Sequence, residues 1–278
     1  IVGNLRLPRI LTGGLVGICL ALSGCVLQGV MRNNLASPST SGVTGGASFV
    51  GYLTLVAFPA YSYLLPVGSI AGAFVTTMLI YALAYQKGVS PVRMILSGMA
   101  VSALFGAFND IIKTLFAESL GNASGFLVGG LNGCGWGSFR MILPYALAGM
   151  VVCLFLPSKM NILMLGDETA NSLGLRTELF RFILIAVSSL LSGAAIAAVG
   201  MLSFVGLIVP HIARILVGSD YRYLFPASTL LGFSLIVICD TIGRVIMPPG
   251  EVPVSIIISF IGAPFFLFLL RSRGKEGN

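Results

Sequence analysis

The stretch SKMNILMLGDETANSLGLRTELFR, Ser158 to Arg181, is a polar island in a chain that is otherwise almost continuously apolar. It holds six of the chain's 25 acidic and basic residues: Lys159, Asp167, Glu168, Arg176, Glu178 and Arg181. The pattern predicts two very short helices, at 159–165 and 168–173, each closed by a glycine (Gly166, Gly174), with Asp167 in the N-cap position of the second. Backbone facing lipid must satisfy its hydrogen bonds internally, so a charged, irregular segment of this kind lies outside the bilayer. On its own it reads as a solvated loop between spans or as a docking surface for a soluble partner.

The flanking sequence makes the bilayer the relevant solvent. Hydrophobic residues form 56% of the chain, charged residues only 9%, and the mean hydropathy is +1.00. A soluble domain carries about 25% charged residues, so the composition excludes one. Nine apolar segments recur from end to end, near 10–31, 43–58, 64–85, 94–116, 141–157, 179–199, 202–217, 224–247 and 252–270. Most approach the roughly 20 residues that cross a membrane as a helix. Turn chemistry separates them: Asn33-Asn34 with Pro38, Pro59, Gly88 with Pro91, and Pro248-Pro249-Gly250. The fold class is therefore all-α and polytopic, one membrane domain over 1–278. The 35 glycines suit close approach of membrane helices.

Charge orients the spans. With the N-terminus outside, eleven lysines and arginines fall on the inner side and five (Arg6, Arg9, Lys113, Arg140, Arg244) on the outer. The positive-inside rule favours that arrangement. It places the C-terminus and the Ser158–Arg181 island in the cytoplasm. The net charge of +7 does not point to nucleic acid, because the basic residues sit at span ends and form no stripe. The chain opens Ile1-Val2-Gly3, without methionine or a targeting pattern, and its odd span count leads us to expect a further span before it.

Catalytic chemistry is thinly represented. Four of the five cysteines fall within apolar spans and read as small buried residues. His211 is the single histidine, with no cluster of metal-ligating types around it, so no metal site or cofactor is expected. Neither a His-Glu-x-x-His nor a Gly-x-Ser-x-Gly motif is present, and no phosphate-cradling Gly-x-x-x-x-Gly-Lys motif occurs. The chain is thus not an enzyme by this reading. Asp240 and Asp110 are ionisable groups in or near spans, where such groups default to functional hypotheses. They support an alternative class, a proton-coupled secondary transporter. Asp240 with Arg244 at i,i+4, and Asp110 with Lys113 at i,i+3, equally support plain structural ion pairs.

Several local patterns occur together and in order. Arg6-Leu7-Pro8-Arg9 opens the first span, and Ser23-Gly24 and Gln28 lead to Asn33-Asn34-Leu35-Ala36-Ser37-Pro38. The island contributes Met160 to Ala170 and Leu173-Gly174. Phe204-Val205-Gly206-Leu207-Ile208-Val209-Pro210-His211-Ile212-Ala213-Arg214, then Asp240, Arg244, Glu251-Val252-Pro253-Val254 and Gly262-Ala263-Pro264-Phe265-Phe266, complete the set. Over essentially its whole length the chain resembles the FecCD family, the permease subunits of ABC importers for iron-siderophores, haem and cobalamin. Two positions depart from the family pattern: Asn34 stands where proline is usual, and Ser255 where glycine is usual.

The resemblance implies a ten-span fold whose first span precedes this chain. It implies two ATPase subunits, an extracytoplasmic substrate-binding protein and a second permease copy, the same chain or a paralogue, in the cell (inner or cytoplasmic) membrane. ATP hydrolysis would belong to the ATPase subunits. Carried over residue by residue, Met160, Asn161, Leu163, Leu165, Gly166, Asp167, Glu168, Leu173 and Gly174 would form the ATPase-coupling helices of a segment at 158–176. The two acids would set register, and Leu163, Leu165 and Leu173 would supply contact area. Arg6, Arg9 and Arg244 would receive acidic residues of the binding protein, with snorkelling as the plainer account of all three. Asn33 and Leu35, with Ser90 and Pro91 beside them, would form the inner gate. Gln28, Ser23 and the small-residue run 39–48 would line the pathway, although helix packing explains that run equally well.

Overall fold

The computed structural model describes residues 2–85, 91–116, 125–248 and 250–273. Eleven helices are defined among them: α1 (Leu7–Val30), α2 (Val43–Ala57), α3 (Leu65–Ala84), α4 (Pro91–Leu115), α5 (Trp136–Phe155), α6 (Pro157–Met164), α7 (Asp167–Ser172), α8 (Thr177–Val199), α9 (Val205–Val217), α10 (Tyr221–Ile246) and α11 (Val254–Arg273). A π-helical turn, Val2–Arg6, leads into α1, and a short 3-10 helix, Pro59–Leu64, joins α2 to α3. Proline starts α1, α3, α4 and α6, where its missing N–H has no intrahelical partner to lose.

Six of the helical stretches are long and apolar enough to cross a bilayer, those containing α1, α3, α4, α5, α8 and α10. Three shorter apolar helices, α2, α9 and the apolar part of α11, accompany them. These nine correspond one for one to the nine apolar segments of the sequence. Five helices, α1, α4, α5, α8 and α10, begin a few residues before their apolar segments, as at Arg9 in α1 and Arg140 in α5. A hydropathy window discounts charged ends that the helix still includes.

The centre of the molecule is α1. Every residue from Thr12 to Met31 is buried, as expected of a helix apolar all round. It packs against α10, α8, α5 and α9. Two glycines set those distances: a Cβ on Gly17 would lie 2.0 Å from the carbonyl oxygen of Gly232 in α10, and one on Gly24 would lie 1.9 Å from that of Gly206 in α9. Backbone meets backbone at both crossings, so neither position admits a side chain.

Helix α9, at 13 residues, rises only about 20 Å, short of the roughly 30 Å hydrocarbon core. It starts at Phe204 in the left-handed region (φ 66°) after the irregular link 200–204. That link is covered by protein. Met201 donates its N–H to the Phe126 carbonyl (3.1 Å), and Gly130 donates to the Val199 carbonyl (2.9 Å). Non-helical backbone at membrane depth is tolerated only where it is enclosed in this way.

Candidate functional site

The first site is a cleft of about 730 Å³ at the α1 N-terminus, lined by Arg6, Arg9, Arg244 and Glu251 with Leu131 and Thr241 among its walls. All three arginines singled out in the sequence thus meet in one cavity, although they come from the turn before α1, from α1 and from α10. Arg6 is exposed, at the end of the π-helical turn. Arg9 is committed internally. Its Nη2 donates to Asp240 Oδ1 at 2.7 Å, its Nε to Asp240 Oδ2 at 3.1 Å, and its Nη1 to Glu251 Oε2 at 2.8 Å.

The expected Asp240–Arg244 pair is present, with Arg244 Nε 3.3 Å from Asp240 Oδ2, but Nε makes no aligned hydrogen bond. Arg9 is therefore the principal partner of Asp240, a correction that no helical spacing could supply. Glu251 was legible only as part of a motif, and the structure makes it the second carboxylate of this cluster. Asp110 and Lys113 form their i,i+3 pair at 2.8 Å on the surface.

The second site is the island. Helices α6 and α7 form with their boundaries shifted by a few residues, and Asp167 is the first residue of α7 rather than its N-cap. Gly166 takes the cap position, with φ 107°, a conformation that glycine adopts without a Cβ penalty. Freed from capping, the Asp167 carboxylate accepts from Arg181 Nη2 at 2.7 Å and Nη1 at 2.9 Å, and pairs with Arg32 Nη2.

Asn161 ties α6 to the start of α10, donating to Asp220 Oδ1 (2.7 Å) and accepting from the Tyr221 N–H (3.1 Å). Asp220 caps α10 through the Arg222 N–H, and these bonds to its charged form hold its carboxyl below the usual carboxylate range. Met160 and Leu163 are fully buried in the core, so Leu163 contributes stability and not, as expected, external contact area. Leu165 and Leu173, 61% and 60% exposed, form the outward apolar surface, with Glu168 exposed between them. Gly174 ends the segment at φ 82°.

The gate and pathway residues divide. Gln28 is 1% exposed: it donates to the Gly206 carbonyl (3.3 Å) and accepts from Arg214 Nη1 (2.5 Å). Ser23, also buried, donates to the Ser188 carbonyl at 2.9 Å. Both sit between helices of the same chain, which corrects their expected place on a pathway surface. In the small-residue run, Gly42 and Gly46 touch α4 and α3 closely, so packing accounts for them. Asn33 Oδ1 accepts from the Leu35 N–H at 2.9 Å, making a compact turn after α1. Leu35 is 38% exposed and borders a small recess with Asn34, His211 and Phe265. Pro91 opens α4, and Ser90 lies outside the described residues.

A central buried helix, eight further apolar helices, a broken helix link enclosed by protein and a charged helix pair on the surface define a polytopic helical membrane protein. The chain belongs to the FecCD transport family, whose sequence profile matches residues 1–272. It is 39% identical to the Fe(3+)-citrate import system permease protein YfmE of Bacillus subtilis over 99% of this chain and 83% of that protein. It is 40% identical to the cobalamin import system permease protein BtuC of Halobacterium salinarum, over 98% and 74% respectively. A metal-chelate type ABC transporter solved in an inward-facing conformation superposes with a TM-score of 0.91 at 33% identity, covering 98% of this chain and 87% of that one.

Proposed function

We propose that this chain is the membrane-spanning half-pathway of a binding-protein-dependent importer that moves a chelated metal, an iron-siderophore, haem or cobalamin, into the cytoplasm. Two ATPase subunits supply the energy, and two permease copies, most simply two of this chain, enclose the route. The observation that carries this reading is the α6–α7 pair. It is fastened to the membrane body by Asn161 and Asp167 and presents Leu165 and Leu173 with no apolar cover. A short rigid element with an exposed apolar surface suits the transfer of a push from a soluble partner.

The outer cleft supports the other half of the reading. Arg6, with the edges of Arg9 and Arg244, offers positive charge to acidic groups of a binding protein, which sets register and association rate. The C-terminus then lies in the cytoplasm with α6 and α7, in the inner or cytoplasmic membrane. The names of the relatives support the cargo class, since iron citrate and cobalamin are both chelated metals. The proton-coupled alternative finds less support: Asp240 is paired with two arginines and Asp110 with Lys113.

The test is nucleotide hydrolysis by the complex reconstituted with its ATPase subunits, with and without binding protein and ferric citrate or cobalamin. Cargo-stimulated hydrolysis that Leu165→Glu/Leu173→Glu abolishes supports the proposal. Failure of any ATPase to associate with the wild-type chain would sink it.

A further inference from the structure

We infer that Arg32 and Asp167 form a strut that passes movement of the coupling helices to the inner gate turn. This inference rests on the coupling role proposed above and on the gate role that the family resemblance implies for Asn33 and Leu35. The sequence assigns Arg32 only to the count of inner charges. In the structure it holds the pivotal position between α1 and the Asn33–Leu35 turn.

Arg32 is one of two non-glycine residues described with positive φ, at 46°. Its N–H donates to the Gly29 carbonyl (3.2 Å), and the next N–H, of Asn33, reaches back to the Gln28 carbonyl (3.1 Å). Those two bonds are a Schellman motif closing α1, and the left-handed residue of that motif is usually glycine. An arginine held there bears a backbone cost that glycine would not. What the arginine adds is its guanidinium, which pairs with Asp167 on α7.

Asp167 is well placed to drive that arginine. Its carboxylate is fixed by two bonds from Arg181, whose side chain is 4% exposed and belongs to α8. The buried guanidinium needs this carboxylate, since an unpaired charge there is costly. Helix α7 and the cytoplasmic end of α8 therefore move together. Arg32 is the second cation on the same carboxylate, and it is more exposed than Arg181. Immediately after it, Asn33 Oδ1 holds the Leu35 N–H, and the Ala36 N–H donates to the Asn33 carbonyl (3.0 Å). The turn is thus a compact body whose one charged link to the island runs from Arg32 to Asp167, among the described residues.

Arg32→Gly separates side chain from backbone, because glycine keeps the turn and loses only the strut. The reporter is the labelling rate of Asn34→Cys by N-ethylmaleimide, in a Cys134→Ser background, since the other four cysteines are buried. It is read in the full complex with ATPase subunits, with and without MgATP and vanadate, beside the rate of ATP hydrolysis. With Arg32 present, labelling changes on nucleotide addition by about fivefold or more, the lower end of coupling between sites. In Arg32→Gly that change falls within about twofold while hydrolysis continues. A full nucleotide response in Arg32→Gly overturns the strut. Asp167→Asn reads the same link from the other end, and an intact response there overturns it equally. Absence of hydrolysis and of any response with Arg32 and Asp167 in place removes the coupling reading itself, and the strut with it.

Discussion

Arg9 and Asp240 stand 231 positions apart in sequence, yet Arg9 Nη2 lies 2.7 Å from Asp240 Oδ1, joining α1 to α10 beside the cleft that Arg9 lines. The Asp240 side chain is 5% exposed and that of Arg9 15%. Replacing Asp240 by alanine removes the carboxylate that Arg9 and Arg244 share and leaves Arg9 with Glu251 alone. Removing one partner of a buried pair costs about 3 kcal/mol, so Asp240→Ala lowers the thermal midpoint in detergent by several degrees. An unchanged midpoint would mean the pair is neutral to the fold.

Arg6 is exposed, at the edge of the same cleft. Arg6→Glu leaves the thermal midpoint nearly unchanged, as surface substitutions usually do within about 0.5 kcal/mol. It slows association of the binding protein, and the difference from wild type shrinks as salt is raised. Surface plasmon resonance at two ionic strengths decides this. Arg9→Glu is the poorer test, because it also breaks the link to Asp240.

The two leucine environments of the island predict opposite phenotypes. Leu163→Ala empties a fully buried site and destabilises the chain by about 2–5 kcal/mol. Leu165→Glu and Leu173→Glu leave the thermal midpoint intact and abolish co-purification of the ATPase subunits. Loss of the fold in the exposed variants, or loss of ATPase binding with Leu163→Ala at full stability, would reverse the assignment.

Asp220 introduces a pH dependence whose sign is fixed by its partners. Its carboxyl is held below the reference value of 3.8 by the Arg222 N–H and by Asn161. The stabilisation is present above the unfolded value and is lost as pH falls through the lower, folded one. Asp220→Asn therefore lowers the midpoint at neutral pH, and its gap from wild type closes as the pH falls below about 5, flattening the acid limb. Identical acid limbs for the two proteins would refute the linkage.

At Gly24 even a methyl group would overlap the Gly206 carbonyl, its Cβ 1.9 Å from that oxygen. Gly24→Ala forces α1 and α9 apart, and Gly24→Leu prevents assembly of the core. Size-exclusion profiles of the expressed variants check the order wild type, then alanine, then leucine. A monodisperse leucine variant would show that this crossing can relax.

The sequence alone determined the solvent, the class and the count of apolar helices. Hydropathy is a property of composition along the chain, and the bilayer enforces it with a length requirement. It determined the island as well, because charge and paired glycines inside an apolar chain have few other solutions. The run of motifs carried the family. What the fold alone decided is which charges meet. Asp167 looked like a cap and is a bridge between Arg32 and Arg181, since a glycine at 166 supplies the turn and frees the carboxylate. Arg244 looked like the partner of Asp240 and yields first place to Arg9, because spacing along a helix sees neighbours one turn away and cannot see an adjacent helix. Gln28 and Ser23 looked like pathway residues and are buried polar groups paired between helices of one chain. For Asp240, Gln28 and Ser23 the physical origin is the same: away from water, polar side chains are claimed by whatever donor or acceptor the packing brings within 3 Å or so.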